Sequence, residues 1–141
     1  MAIKLDMLKA YNQVEWTFLK KVMLRMGFDE GWVELTMRCV CSASFSFLVN
    51  GVPRGRIVPS CGVRHGDSLS PYLFLFCTEG LTGLLRQAEE RGAFHGFRVC
   101  PNAPVFSHLC FADDSLIFFG ADLPQANAVK DVLYSYERAS S

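Results

Sequence analysis

The sequence has no excess of charge of either sign. Fourteen Lys and Arg residues balance fourteen Asp and Glu residues in a chain of 141, so the formal net charge at pH 7 is zero. Proteins that bind nucleic acid through their overall charge carry a clear basic excess. Any surface of this chain that contacts phosphates must therefore be local.

Zinc-site spacing and membrane-length apolar runs are also missing. The six cysteines form no Cys-x-x-Cys pair and lack histidines at matching distances, which argues against a zinc site. Since several cysteines fall in apolar runs, buried free thiols in a reducing compartment are favoured over disulfides. The longest apolar run, Tyr72–Cys77, is far shorter than the roughly 20 residues that span a bilayer, and Met1–Asp6 lacks the apolar centre of a signal peptide. These features predict an intracellular protein without membrane association.

Hydrophobic periodicity predicts one α+β domain of a size that can bury a core. The first half begins with a strand, Ile3–Met7. A helix follows over Val14–Met26, and a second begins after an Asp29 cap. Next comes a hairpin of Phe45–Val49 with Gly55–Val58, in which Pro53 predicts a loop longer than Asn50-Gly51.

The second half begins with a long helix, because Ser70 can act as a side-chain cap with Pro71 at the first helical position, and an apolar stripe continues from there to Gly92. A strand, a second hairpin and a final helix complete the prediction. No internal repeat, low-complexity tract or domain linker is apparent.

Two adjacent carboxylates, Asp113 and Asp114, lie at the predicted tip of this second hairpin. They separate the strand-like runs Ser107–Phe111 and Ser115–Phe119. An Asp-Asp pair in a turn is usually no more than a solvated turn. Adjacent carboxylates also repel each other unless a cation lies between them, and oxygen ligands suit a hard ion such as Mg²⁺ or Mn²⁺.

A further carboxylate, Asp6, favours the metal interpretation. In the alternating run Ile3–Met7 it lies with Lys4 on the face opposite the apolar residues. A strand carboxylate facing a carboxylate pair on a neighbouring hairpin is the arrangement that two-metal phosphoryl transfer requires.

Three segments together resemble the successive palm motifs of reverse transcriptases. They are Lys4–Tyr11, Gly62–Pro71 and Phe111–Asp114, in the family's order and spacing. The sequence between these motifs resembles that of the LINE-type, non-LTR retrotransposon enzymes of plants, including Phe45–Gly51 and Pro71–Phe76. The resemblance covers nearly the whole chain and implies that residues 1–141 are one partial reverse transcriptase (palm) domain, with a polymerase palm-like fold in which an antiparallel sheet packs against helices.

The resemblance also implies an activity, RNA-directed DNA synthesis. The chain would add dNTPs to a DNA primer on an RNA template, with Mg²⁺ as the cofactor and Mn²⁺ as a possible substitute. Asp6, Asp113 and Asp114 would be the catalytic and metal-binding residues. The nucleotide-binding residues would be Tyr11, Arg64, His65 and Gly66, and the primer-proximal residues would be Phe111 and Ala112. For Tyr11, a core tyrosine is the alternative.

The chain departs from the family pattern at four positions. His65 replaces a usual Gln, Ser68 a Pro, Asn12 an Asp and Cys61 an Arg. The chain also starts near the first catalytic strand and ends after the helix that follows the acidic hairpin, so fingers and thumb are expected to be missing and isolated activity to be weak or absent. A catalytically inactive retrotransposon remnant, with at most weak nucleic-acid binding, is the alternative. Another nucleotidyl-transfer palm, such as a cyclase, shares the metal logic but has no motif support.

Overall fold

The computed structural model describes residues 1–6, 10–64, 66–111 and 114–140; nothing is described of the side chains of Asp6 and Ala10. The predicted α+β class is confirmed. The strands are β1 (Ala2–Asp6), β2 (Phe45–Val49), β3 (Val52–Ile57), β4 (His108–Phe111) and β5 (Asp114–Phe118). The helices are α1 (Ala10–Gln13), α2 (Trp16–Arg25), α3 (Glu30–Cys41), α4 (Ser70–Glu90) and α5 (Leu123–Ser140).

The central sheet has three antiparallel strands in the order β1-β5-β4. One face packs on helices: Ile3, Leu5 and Ile117 contact a core that includes Leu81 and Leu85 of α4. Alternation along each strand turns the neighbouring residues, among them Lys4 and Leu116, to the other face. The sheet therefore has one packed face and one face without a helix against it in the described part of the chain.

Helix α4 joins two apolar cores. Its first half contributes Leu73 and Cys77 to a core with α2 and α3, and its second half contributes Leu81 and Leu85 to the core beneath the sheet. Tyr136 connects α5 to the middle of α4, because its hydroxyl donates a 3.0 Å hydrogen bond to the Cys77 carbonyl. Helix α4 is thus the element on which both halves of the molecule are built.

The predicted start of α3 is confirmed. The Asp29 side chain accepts a 3.1 Å hydrogen bond from the Trp32 amide, which satisfies one of the free donors at the helix start. Pro71 occupies the first turn of α4, as predicted, and Gly92 follows the helix with φ of 71°. The side-chain cap predicted for Ser70 is wrong, because Ser70 is the first helical residue and the cap position belongs to Leu69, which makes no side-chain cap hydrogen bond. None of the described helices is long and apolar enough to cross a membrane.

Two predictions of local structure are wrong. The β2–β3 loop is not lengthened: Asn50 and Gly51 form a two-residue turn with φ of 50° and 77°. Pro53 is tolerated because it lies opposite Leu48, one pair beyond the turn-flanking pair, where no ladder hydrogen bond is due. The strand predicted before the second hairpin is reduced to one bridge between Phe97 and Phe106.

The cysteine prediction is also corrected. All six cysteines are free thiols, but Cys77 alone is buried, where burial raises the pKa of its thiol to about 12. The other five cysteines lie nearer the surface, although several of the six fall in apolar runs of the sequence.

Candidate active site on the central sheet

The acidic hairpin is confirmed, and its register sets two predicted site residues opposite each other. Strands β4 and β5 pair antiparallel on either side of residues 112–113, and β5 pairs antiparallel with β1. Asp114 lies directly opposite Asp6 on β1 and directly opposite Phe111 on β4. One row across the sheet therefore contains Asp6, Asp114 and Phe111, with Cα atoms of neighbouring strands about 4.5–5.5 Å apart.

A cation already contacts this row. The Lys4 ammonium lies 3.0 Å from Oδ1 of Asp114, with side-chain exposures of 60% and 45%. An ion pair this exposed contributes little to stability, on the order of 0–1 kcal/mol. The ion pair instead shows that the Asp114 carboxylate is accessible and that a positive charge can approach it.

Phe111 is the most exposed large apolar residue of the described chain, at 84%. Its strand neighbour on the same face, Leu109, is also half exposed. The open face of the sheet thus presents apolar surface beside a carboxylate, a combination that suits a ligand with both flat rings and charge.

Several predicted site residues lie outside the described residues. These are His65, Ala112 and Asp113. For Asp6, the backbone is described but the side chain is not. Among the side chains that are described, no group of three His, Cys, Asp or Glu residues is placed to hold a metal ion. The predicted metal triad includes two carboxylates outside that set, so the metal site remains a prediction.

Tyr11 is part of the first core as well as a site candidate. Its ring stacks on Phe74 with centroids 5.0 Å apart and an interplanar angle of 19°, and the residue is only partly buried. The structure therefore supports the core alternative for the packed side of the ring. The nucleotide-binding role stays a prediction.

The first and second motifs are joined through their backbones. The Val63 amide donates a 2.7 Å hydrogen bond to the Tyr11 carbonyl, and the Gly62 amide donates a 2.8 Å bond to the Val14 carbonyl. The Trp16 indole N–H donates to the Gly62 carbonyl at 2.8 Å. These three bonds fix the start of the loop before α4 against the link between α1 and α2.

Gly62 permits this approach. Its φ is +87°, and a Cβ at this position would lie 2.9 Å from the backbone oxygen of Asn12. Our sequence interpretation missed the roles of Gly62 and Trp16. The glycine in Gly62-Val63-Arg64 was a signal, but its partner lies 50 residues away in sequence.

A cavity of about 160 Å³ opens beside this loop. Residues from the second motif, from the first hairpin and from the end of α3 line it, together with Asn12, which directly follows the first motif; among them are Asn12, Phe45, Cys61, Arg64, Asp67 and Ser70. Ligand pockets usually enclose about 300–1,000 Å³, so this cavity has room for one group of a nucleotide rather than for a whole one. Arg64 is thereby placed at a pocket, whereas Gly66, with φ of +82°, meets nothing within 4 Å at its Cβ position.

Comparison with known proteins decides the family. A model of reverse transcriptases (RNA-dependent DNA polymerases) matches residues 1–138. The chain belongs to the reverse transcriptase family. The resemblance carried by its three motifs is thereby confirmed.

Two relatives are similar to this reverse transcriptase chain over part of their length. An uncharacterized mitochondrial protein of Arabidopsis thaliana is 53% identical over 76 residues, which are 54% of this chain and 62% of that protein. A retrovirus-related Pol polyprotein from the type-1 retrotransposable element R2 of Popillia japonica is 30% identical over 127 residues, covering 90% of this chain and 20% of the polyprotein. The chain spans less than two thirds of the length of either relative.

Proposed function

We propose that this chain is the palm core of an RNA-directed DNA polymerase of a non-LTR retrotransposon. Its substrates would be dNTPs and the 3′-hydroxyl of a DNA primer paired to an RNA template. The observation that carries the proposal is the register of the central sheet, which sets Asp6 opposite Asp114 at the tip of the acidic hairpin. Family membership and the three ordered motifs supply the reaction class.

The described donor chemistry fits divalent ions. Asp114 offers an accessible carboxylate on the open face, and the Lys4 ammonium at 3.0 Å shows that a cation can reach it. Carboxylate oxygens are the ligands that Mg²⁺ and Mn²⁺ prefer. Asp6, Asp113 and Asp114 would hold two such ions, which when bound lower the pKa of an attacking hydroxyl and neutralise the charge of the leaving pyrophosphate.

The remaining residues would bind and orient the substrates. Phe111, exposed beside Asp114, offers a flat apolar surface to the terminal primer nucleotide. Arg64, at the rim of the cavity, is placed to contact a phosphate of the nucleotide, and its planar guanidinium suits that role. Tyr11, which stacks on Phe74 and accepts a hydrogen bond from the Val63 amide through its carbonyl, would direct its partly exposed ring towards the sugar.

The test has an activity arm and a binding arm. Primer extension on an RNA template is measured with the purified chain in Mg²⁺ and separately in Mn²⁺, and Mn²⁺ binding is measured by water proton relaxation. Asp113→Asn removes one charge at nearly constant shape and should abolish extension and weaken Mn²⁺ binding. Asp131→Asn, an identical change on an exposed position of α5, is the matched control and should alter neither.

Extension that survives in Asp113→Asn would contradict the metal assignment. Absence of extension in a folded wild-type sample would contradict polymerase activity of this chain and favour the alternative, an inactive retrotransposon remnant. Mn²⁺ binding that is equal in both variants would contradict the carboxylate cluster as a metal site.

A further inference from the structure

The hairpin formed by β2 and β3 is separate from the central sheet and solvent-exposed along its whole length. Each of its eleven strand residues is exposed, and the two strands pair with each other in a sheet of their own. Six of these residues are large and apolar, with exposed fractions between 45% and 73%: Phe45, Phe47, Leu48, Val49, Val52 and Ile57. Isolated two-stranded hairpins are marginal in water, so apolar residues on such a hairpin indicate a surface that contacts something else.

The register assigns the aromatic residues to one face. Phe47 lies opposite Arg54 and Phe45 opposite Ile57, with a bulge between these pairs at Gly55, whose φ is +68°. Because opposed residues and residues two apart share a face, Phe45, Phe47 and Arg54 lie on the same side. Leu48, one residue away in sequence, lies on the opposite side.

A second arginine reaches the same face from outside the hairpin. The Arg64 guanidinium carbon lies 6.0 Å from the centre of the Phe45 ring. Two phenyl rings and two guanidinium groups thus form one surface, defined by Phe45, Phe47, Arg54 and Arg64 and called here the aromatic-arginine face.

The segment of sequence that forms this face carries no acidic residue, and Asp67 is the one carboxylate among the described residues that line the adjoining cavity. Residues 35–66 include four arginines and no Asp or Glu, although the chain as a whole is neutral. The nearest following carboxylate, Asp67, accepts a hydrogen bond from the Leu69 amide at 3.3 Å. This is the local basic surface that a neutral chain needs in order to contact phosphates.

We propose that the aromatic-arginine face binds a single strand of nucleic acid, with bases stacked on Phe45 and Phe47 and phosphates contacted by Arg54 and Arg64. Rings two residues apart on a strand are about 6.8 Å apart. That is twice the roughly 3.4 Å between successive nucleotides of one duplex strand, so neighbouring bases can reach both rings only when the strand is extended.

A protein partner fits this face less well. An apolar partner would cover the two rings but would also remove Arg54 and Arg64 from water without a counter-charge. A single strand satisfies both requirements, because bases cover the rings while phosphates neutralise the guanidinium groups. Binding of this kind needs neither metal nor dNTP, so it goes beyond the proposed polymerase activity and does not depend on it.

The experiment measures binding of a fluorescein-labelled ten-nucleotide single-stranded RNA by anisotropy, in EDTA and without dNTPs. Phe47→Ala removes one stacking ring and should weaken binding at least fivefold. Leu48→Ala is the matched control, since Leu48 on the opposite face is at least as exposed as Phe47 and its removal should leave binding unchanged. Arg54→Ala should lower the slope of log Kd against log salt by about 0.7, whereas Arg54→Lys should retain that slope.

Equal losses in Phe47→Ala and Leu48→Ala would overturn the proposal, as would a salt slope that Arg54→Ala does not change. Sedimentation of the same samples tests the other occupant: self-association that Phe47→Ala abolishes, with no RNA binding by the wild type, would make this face a protein interface. Because the assay contains no metal, failure of primer extension leaves its outcome unaffected.

Discussion

Replacing Gly62 by alanine should destabilise the protein in two separable ways. The first is conformational: with φ of +87°, residue 62 adopts a backbone that costs an L-residue with a Cβ about 1–2 kcal/mol. The second is steric, because the new Cβ would lie 2.9 Å from the Asn12 oxygen and 3.1 Å from the Tyr11 oxygen. Both contacts are backbone atoms and cannot move aside by a change of rotamer.

Gly27 provides a matched control for the conformational part. Its φ is +89°, nearly that of Gly62, but a Cβ there would meet nothing within 4 Å. Gly27→Ala should therefore lower the free energy of unfolding by about 1–2 kcal/mol. Gly62→Ala should lower it by a further 1–3 kcal/mol, roughly the cost of forcing extra volume into a packed site.

The assay is guanidinium unfolding, followed by circular dichroism and by tryptophan fluorescence. The fluorescence of Trp16 reports on the site itself, because its indole donates to the Gly62 carbonyl. If both variants shift the unfolding midpoint by the same amount, the close approach of Gly62 to Asn12 does not constrain the fold, and the reasoning is refuted.

Two further predictions concern β4 and β5. Burial, with a smaller effect of Arg86, lowers the pKa of His108 from its ordinary 6.5, and Glu89 and Glu79 oppose this shift. As the pH falls, the unfolded chain takes up a proton at this residue before the folded chain does, so the free energy of unfolding should fall as the pH drops through about 6.5. In urea titrations, His108→Gln should remove this pH dependence. An unchanged pH dependence in the variant would contradict the assignment to His108. The buried Ser115 hydroxyl lacks a hydrogen-bond partner among the described residues. Ser115→Ala should therefore raise the free energy of unfolding by about 1 kcal/mol, and a loss of stability instead would imply an undetected partner.

The parts of the fold that were predictable from sequence are those encoded within a few residues. The Asp29 cap acts through a nearby backbone amide, Pro71 suits the first turn of α4, and the two strands of the acidic hairpin followed from the apolar runs on either side of the Asp pair. The order of the three motifs identified the family, which the match over residues 1–138 confirmed.

The remainder depended on contacts between distant residues. The hydrogen bonds from Gly62 and Val63 reach residues about 50 positions earlier, and no local pattern encodes them. The placement of Pro53 depended on which pairs of the hairpin are hydrogen-bonded, which follows from the turn and not from the proline. The sequence predicted which aspartates form the candidate site, but the pairing of Asp6 with Asp114 across the sheet follows from the strand register.

The double membership of α4 restricts how the length of this chain can change. Helix α4 has 21 residues, so at about 1.5 Å per residue it is about 30 Å long. Its first half packs in one core and its second half in the other. Insertion of one residue between Cys77 and Leu81 would rotate the core-facing side chains of one half of the helix by about 100° relative to those of the other half. No single orientation of the helix could then fill both cores. The spacing between the cavity loop and the acidic hairpin is therefore held in phase, and lineages of this domain should vary in their loops before they vary in the length of α4.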